Sequence, residues 1–227
     1  MTVLVVAAHP DDEVLGCGAS IAKWTCEGTE VHVLILAEGA TSREASRDLK
    51  TTAKQVSCLA ESAHRAGEIL GIASITLLGL PDNRMDTVDR IDVIKAIEEK
   101  VRQIRPSTVA THHAGDLNID HRIAHESVVV ACRPQPGHPV KNILAYEVPS
   151  STEWQSPGSA PTFQPNTFED VTGTLHLKLL ALEEYGSEMR PWPHPRSVQS
   201  VEHLARWRGA TIGCEAAEAY MLMRAIR

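Results

Sequence analysis

Short apolar runs and longer amphipathic stretches alternate through residues 1–134. Val3–Ala8, rich in β-branched and small apolar residues, reads as a fully buried strand, and Glu30–Ala37, Ser74–Leu78 and Thr108–Thr111 read the same way. Between them, apolar positions recur at helical spacing. Glu13–Glu27 carries Val14, Leu15, Ala19, Ile21, Ala22 and Trp24 on that period and is closed by Gly28. Further helices are predicted from about Ser46 to Leu70, over Val88–Ile104 before Pro106, and over Arg122–Cys132 before Pro134. This alternation predicts an α/β fold with a mostly parallel sheet, right-handed crossovers and flanking helices.

Beyond Pro134 the pattern is less regular. Asn142–Val148 reads as a fifth strand, and the Ser/Pro/Thr-rich stretch Pro149–Pro165 is long enough to be a lid or a binding loop. Phe168–Val171 suits a strand and Leu175–Tyr185 a helix, whereas Arg190–Ser197 (R-P-W-P-H-P-R-S) is too rich in proline to be helical. Ala205–Gly213 and Glu215–Arg224 complete the chain, the last ending in a strand. The expectation is a single domain over 1–227, with an α/β core at 1–134 and a lid loop and C-terminal elements at 135–227.

In parallel sheets, ligands bind beyond the carboxyl ends of the strands. The four predicted strand-to-helix loops place their polar residues there: His9–Asp12, Glu38–Arg43, Asp82–Asp86 and His112–His121. Titratable groups at the mouth of a buried strand are costly unless they are paired or used. His9 and Asp12, three apart in a turn that Pro10 enforces, can face one point, and imidazole with carboxylate is part of many zinc sites. A catalytic zinc takes a third protein ligand and keeps one position open. His112, His113, His121, His125 and His194 are the candidates, and His121 is preferred because Asp120 beside it can orient a ring nitrogen. The i, i+4 pair His121 and His125 would instead complete a closed four-ligand site, while His125 alone also suits a half-buried structural histidine. Glu13 reads as a first-turn carboxylate favoured by the helix dipole, and Gly16 and Gly18 permit close packing.

The net charge of −7 and the absence of a Lys/Arg block argue against a nucleic-acid partner. Five cysteines without C-x-x-C spacing suggest free thiols and a cytoplasmic location, and no apolar run is long enough to span a bilayer. A homo-oligomer is compatible with the sequence. The first turn, H-P-D-D-E, lacks a G-x-G-x-x-G fingerprint and would repel a pyrophosphate, which disfavours a dinucleotide cofactor.

A-H-P-D-D-E followed by G-C-G, together with D-L-N-I-D-H-R, resembles the PIG-L/LmbE family of zinc-dependent N-deacetylases over the first two thirds of the chain. The resemblance implies a Rossmann-like fold and hydrolysis of the N-acetyl group from an N-acetylglucosamine-type sugar, nucleotide-, lipid- or aglycone-linked. It makes His9, Asp12 and His121 the ligands of Zn2+ (or another divalent ion) and Asp11 the general base. Many members carry H-P-D-H at the second motif, and here Asn118 stands in place of its first histidine. Asn118 can donate to an oxyanion but delivers no proton at neutral pH. The acid role then passes to Asp11 after it has taken the water proton, or to His113 or His194, with Asp120 orienting an imidazole. Arg43, Arg47, Arg84, Asp82, Asp86, Trp154, Trp192 and His194 are candidates for contact with substrate, and Arg190, His194 and Arg196 form a positive cluster that would suit a phosphorylated group. A zinc amidase acting on a non-sugar or thiol-conjugate amide, and a non-catalytic sugar-binding protein, are the competing readings.

Overall fold

The computed structural model describes residues 1–43 and 48–227, the side chains of Arg43 and Leu49 excepted. Its strands are β1 (Thr2–Ala7), β2 (Glu30–Ala37), β3 (Ser74–Leu80), β4 (Thr108–His112), β5 (Asn142–Tyr146), β6 (Thr167–Asp170) and β7 (Ala217–Arg224). They form one seven-stranded sheet in the order β3-β2-β1-β4-β5-β7-β6. From β3 to β5 every pairing is parallel, whereas β7 runs antiparallel to both of its neighbours. The helices are α1 (Asp12–Cys26), α2 (Leu49–Leu70), α3 (Arg90–Ile104), α4 (Ile119–Ala131), α5 (Leu175–Glu183) and α6 (Val198–Ala210). No described helix is long and apolar enough to cross a membrane, and all five cysteines are free.

Strand periodicity divides the core into two layers. Val3, Val5 and Ala7 of β1 and Val31, Val33 and Ile35 of β2 enter one cluster with Val14, Ile21, Leu59 and Ala181 from α1, α2 and α5. Leu4, Val6, Leu34 and Leu36 enter the other, with Val93, Ile97, Ala124 and Val128 from α3 and α4. Burying each large aliphatic side chain contributes roughly 1.5–3 kcal/mol, and a one-residue slip of β1 would exchange its two faces. The registration of β1, and of the loop that leaves it, is therefore tightly specified.

Helix α1 departs from regular geometry at Cys17 (φ −148°, ψ 24°). Polar groups on either side of this kink are satisfied from the C-terminal part of the chain. Glu218 of β7 accepts the N–H groups of Ala19 (3.1 Å) and Ser20 (2.7 Å), and Lys178 of α5 donates to the Leu15 carbonyl (2.8 Å) and to Glu218 (2.5 Å). Gly16 lies against the Tyr146 ring of β5, where a Cβ would collide. That is the close packing its sequence position suggested.

Several boundaries differ from expectation for identifiable reasons. α4 begins at Ile119, because the Asn118 side chain accepts the Asp120 N–H and caps it, so His121 lies in the first helical turn and not in the loop. α6 begins at Val198, directly after the Pro-rich stretch, because Ser197 caps it. The predicted start of α2 at Ser46 and the candidate Arg47 lie outside the described residues, as does the Arg43 side chain.

Candidate metal centre

The sheet order reverses direction at β1, which sends the chain to β2 on one side and has β4 on the other. Such a switch point opens a crevice at the carboxyl ends of the strands, and the β1–α1 and β4–α4 loops meet there. Asp11 is the N-cap residue of α1 and sits in the left-handed region (φ 117°, ψ −30°), which aspartate adopts only when its surroundings impose it.

Around Asp12 the two loops converge. Asp12 Oδ2 accepts the His9 N–H (2.8 Å) and lies 3.2 Å from His9 Nδ1 and 3.2 Å from His121 Nε2. Ligand atoms of His9, Asp12 and His121 lie within 4.8 Å of one another, and all three residues are buried. Asp11 Oδ1, Asp12 Oδ1 and both ring nitrogens of His121 have no hydrogen-bond partner among the described residues. Buried polar atoms are rarely left so, and those of Asp12 and His121 belong to one compact group with His9. Two imidazoles and one carboxylate are donors suited to zinc, so the residues fit the metal that the sequence implies.

Carboxylates behind this cluster hold the imidazoles. Asp120 Oδ2 is 3.0 Å from His9 Nε2, and Asp120 also accepts the N–H groups of Asn83 (2.6 Å) and Met85 (3.0 Å). Asp120 therefore orients His9, not the adjacent His121. Asp116 lies beside His121, with Oδ1 3.1 Å from Nδ1. Asp116 also accepts from Asn118 N–H (2.9 Å), Thr152 Oγ1 (2.7 Å) and Ser151 Oγ. Sequence reasoning missed it, although it stands in the same D-L-N-I-D-H run. A second group, His9, Asp82 and Asp120, is equally compact. Its carboxylates are already bonded, Asp120 as above and Asp82 by the Ser42 N–H (2.9 Å), so the atoms without partners favour the first group.

The remaining histidines have other tasks. His112 Nε2 accepts the Ala8 N–H (2.8 Å), and its ring stacks on His121 at 3.9 Å. His113 Nε2 bonds to the Pro161 carbonyl (2.8 Å), and His125 Nδ1 bonds to the His112 carbonyl (2.8 Å). His125 is thus tied to the backbone of β4, and among the described residues it does not join the compact group of His9, Asp12 and His121.

Asp11 Oδ2 accepts from Arg196 Nη1 at 2.8 Å. Burial raises the Asp11 carboxyl to about 8, against the pull of the Arg196 charge. Glu13 is buried too: Oε2 accepts the Asp11 N–H (3.1 Å) and Oε1 the Tyr185 hydroxyl (2.5 Å), while burial lifts its pKa to about 7 despite those bonds. For Asp12, burial is outweighed by the charges of the facing His121 and His112 rings and by the close His9 ring, which hold its carboxyl well below the carboxylate range. Asn118 uses Oδ1 as the helix cap (2.8 Å to Asp120 N), which leaves its amide nitrogen as a donor at the rim.

The outer contacts are mixed. Trp154, 50% exposed, stands edge-on to His194 at 5.6 Å. Arg84 is half-buried between Asn83 and Met85, the two residues whose N–H groups hold Asp120. Asp86 is exposed. In the expected positive cluster, Arg190 bonds to the Ser187 and Met189 carbonyls while Arg196 is held by Asp11. The loop expected as a lid is fastened to the β4–α4 loop through Asp116 and His113.

Fold and cluster together define an α/β protein with a buried His-Asp-His group, of the kind that can hold a metal ion, at a topological switch point. Residues 4–132 match the family described as PIG-L: GlcNAc-PI de-N-acetylase, and the chain belongs to that family. It is 31% identical over 191 residues to the uncharacterized deacetylase YaiS of Escherichia coli K12, covering 82% of this chain and 90% of the relative. It is 27% identical over 200 residues to the diacetylchitobiose deacetylase of Thermococcus kodakarensis, covering 82% of this chain and 69% of that one. In structure it resembles GalB, the 4-carboxy-2-hydroxymuconate hydratase of Pseudomonas putida KT2440, with a TM-score of 0.80 at 23% identity, over 100% of this chain and 97% of that one. The last likeness concerns the fold alone.

Proposed function

We propose that the chain is a zinc-dependent hydrolase that removes the N-acetyl group from an N-acetylglucosamine-type sugar and releases acetate. What supports this most is the meeting of His9, Asp12 and His121, in which Asp12 Oδ1 and the His121 ring nitrogens have no hydrogen-bond partner among the described residues. The deacetylase relatives supply the reaction class, and the diacetylchitobiose relative the substrate type. His9, Asp12 and His121 hold the metal. When bound, the cation polarises the amide carbonyl, acidifies water and draws the Asp11 carboxyl back towards its charged form.

Asp11 then accepts the proton of the attacking water through Oδ1, the oxygen that carries no hydrogen bond. The Asn118 amide donates to the developing oxyanion. Asp11 returns its proton to the leaving amine, which supplies the acid that a histidine provides elsewhere in the family. Asp120 and Asp116 keep the His9 and His121 rings in place. Arg84, Trp154 and His194 face the sugar, and the chain works as one unit in the cytoplasm.

The test is acetate release from free, lipid-linked and nucleotide-linked N-acetylated sugars, measured with metal-loaded and chelated protein. Release that requires metal supports the reading. A fully metallated protein that releases acetate from none of them, or releases it only from thiol-conjugate or other non-sugar amides, overturns it.

A further inference from the structure

The backbone of Asp11 is fixed from all sides. Its N–H donates to Glu13, which Tyr185 holds in turn, and its carbonyl accepts from Val14 (3.0 Å) and Leu15 (2.8 Å). The carboxylate is a different matter. Its terminal torsion is sp³–sp², broad and nearly two-fold, so backbone order alone does not decide which oxygen points where. Among the described residues its side chain has one hydrogen bond, from Arg196 Nη1 to Oδ2 at 2.8 Å. The other oxygen, Oδ1, is buried and without a partner.

Arg196 is itself rigidly mounted. Its Nε donates to Ser150 Oγ (2.8 Å) at the mouth of β5, and its Nη1 lies 3.9 Å from Glu188. Its N–H bonds to His194 Nδ1 (3.0 Å), its carbonyl accepts the Arg190 N–H (3.3 Å), and the next residue, Ser197, caps α6. The segment R-P-W-P-H-P-R-S is thus a compact turn that presents one guanidinium to one carboxylate. A planar fork can hold Asp11 and Ser150 at once, which an ammonium cannot do in the same geometry.

We propose that Arg196 is the positioning residue for Asp11, holding Oδ2 so that Oδ1 alone takes the proton. This rests on the reading of Asp11 as the base. It also gives the Pro-rich segment a task other than gripping phosphate.

Arg196→Ala, Arg196→Lys and the wild type are compared for kcat, KM, bound zinc and thermal midpoint, with and without guanidinium ion at a non-denaturing concentration. A crystal structure of Arg196→Ala completes the set. Arg196→Ala should lose kcat on the order of 10²-fold, as misplacement of a reacting group does, with KM and zinc content unchanged. Guanidinium should restore part of that loss without accelerating the wild type, Arg196→Lys should fall between the two, and the crystal should show the Asp11 carboxylate in more than one orientation. Unchanged kcat with a single Asp11 conformer overturns the proposal. So does a loss that follows zinc content or thermal midpoint and that guanidinium leaves untouched. If the wild type releases no acetate while Asp11 still loses its single orientation in Arg196→Ala, the positioning role stands and the deacetylase reading falls.

Discussion

The part of the chain up to Ala131 and the part that follows it contribute different things to the candidate centre. The first brings the groups assigned to the metal and the reacting water: His9 and Asp11 in the loop that leaves β1, Asp12 at the start of α1 and His121 in the first turn of α4. The second brings the groups that restrain them. Arg196 and Tyr185 act on Asp11 and Glu13, Ser151 and Thr152 on Asp116, and Lys178 and Glu218 on the kink of α1. A parallel sheet has ends rich in unsatisfied polar groups, and the antiparallel strands and short helices added after it are placed where those groups need partners. The family match ends at residue 132, so the donor set lies inside it and Arg196, Tyr185, Ser151, Thr152, Lys178 and Glu218 lie outside.

The comparison is broken most severely by removing a reacting group. Asp11→Asn should keep its zinc, because Asp11 is not one of the converging ligands, and lose acetate release by about 10²–10⁴-fold. Metal analysis beside turnover separates the two effects. Activity near wild type would remove Asp11 from the role of base. His121→Ala should lose the metal altogether, whereas His125→Ala, whose ring only bonds the His112 carbonyl, should retain it in the same analysis.

The division also explains what could be read in advance. The strands β1 to β4, their alternation with helices and the trio His9, Asp12 and His121 were legible, because buried strands and motif spacing are local properties of the chain. Arg196, Asp116 and Glu13 were not, because each gains its meaning from a contact across the fold. Arg196 lies 185 positions from Asp11 and looked like part of a phosphate grip until its partner was visible. Asp120 was expected to orient the neighbouring imidazole of His121, yet its carboxylate meets the ring of His9, 111 positions away. The α6 boundary was hidden by the proline run before it, since the cap at Ser197 is a single serine among breakers.

A milder break falls on the support. Lys178 and Glu218 form a buried pair at 2.5 Å, and removing one partner of such a pair costs about 3–5 kcal/mol, because the other charge is left buried. Lys178→Met should lower the denaturation midpoint accordingly in chemical unfolding. Lys178→Met combined with Glu218→Gln should lose less than the sum of the two, since the glutamine carbonyl still accepts from Ala19 or Ser20. Strict additivity would show that the pair does not act as a unit. Asp116→Asn tests the next link: it should weaken metal affinity about 10–100-fold in a competition assay with a chelator, the loss typical when an orienting carboxylate is removed. Undiminished affinity would mean that the His121 ring is held by its stacking on His112 alone.

The smallest effect expected sharpens the comparison at its edge, where the C-terminal part carries the proposed substrate contacts. Trp154 is half-exposed and touches His194 edge-to-face at 5.6 Å, a contact worth about 0.5–1.5 kcal/mol. If the pair serves only to hold the loop to the Pro-rich turn, Trp154→Ala costs that much stability and leaves the kinetics alone. The loop, however, is already fastened by Ser151 and Thr152 to Asp116 and by Pro161 to His113, so the ring is not needed for that purpose. An aromatic face kept half open, on a loop secured by other means, is suited to a sugar ring. Trp154→Ala should therefore raise KM several-fold with kcat unchanged, the signature of binding lost equally from the ground and transition states. A shift in the thermal midpoint with KM unaltered would return Trp154 to the supporting role of its neighbours.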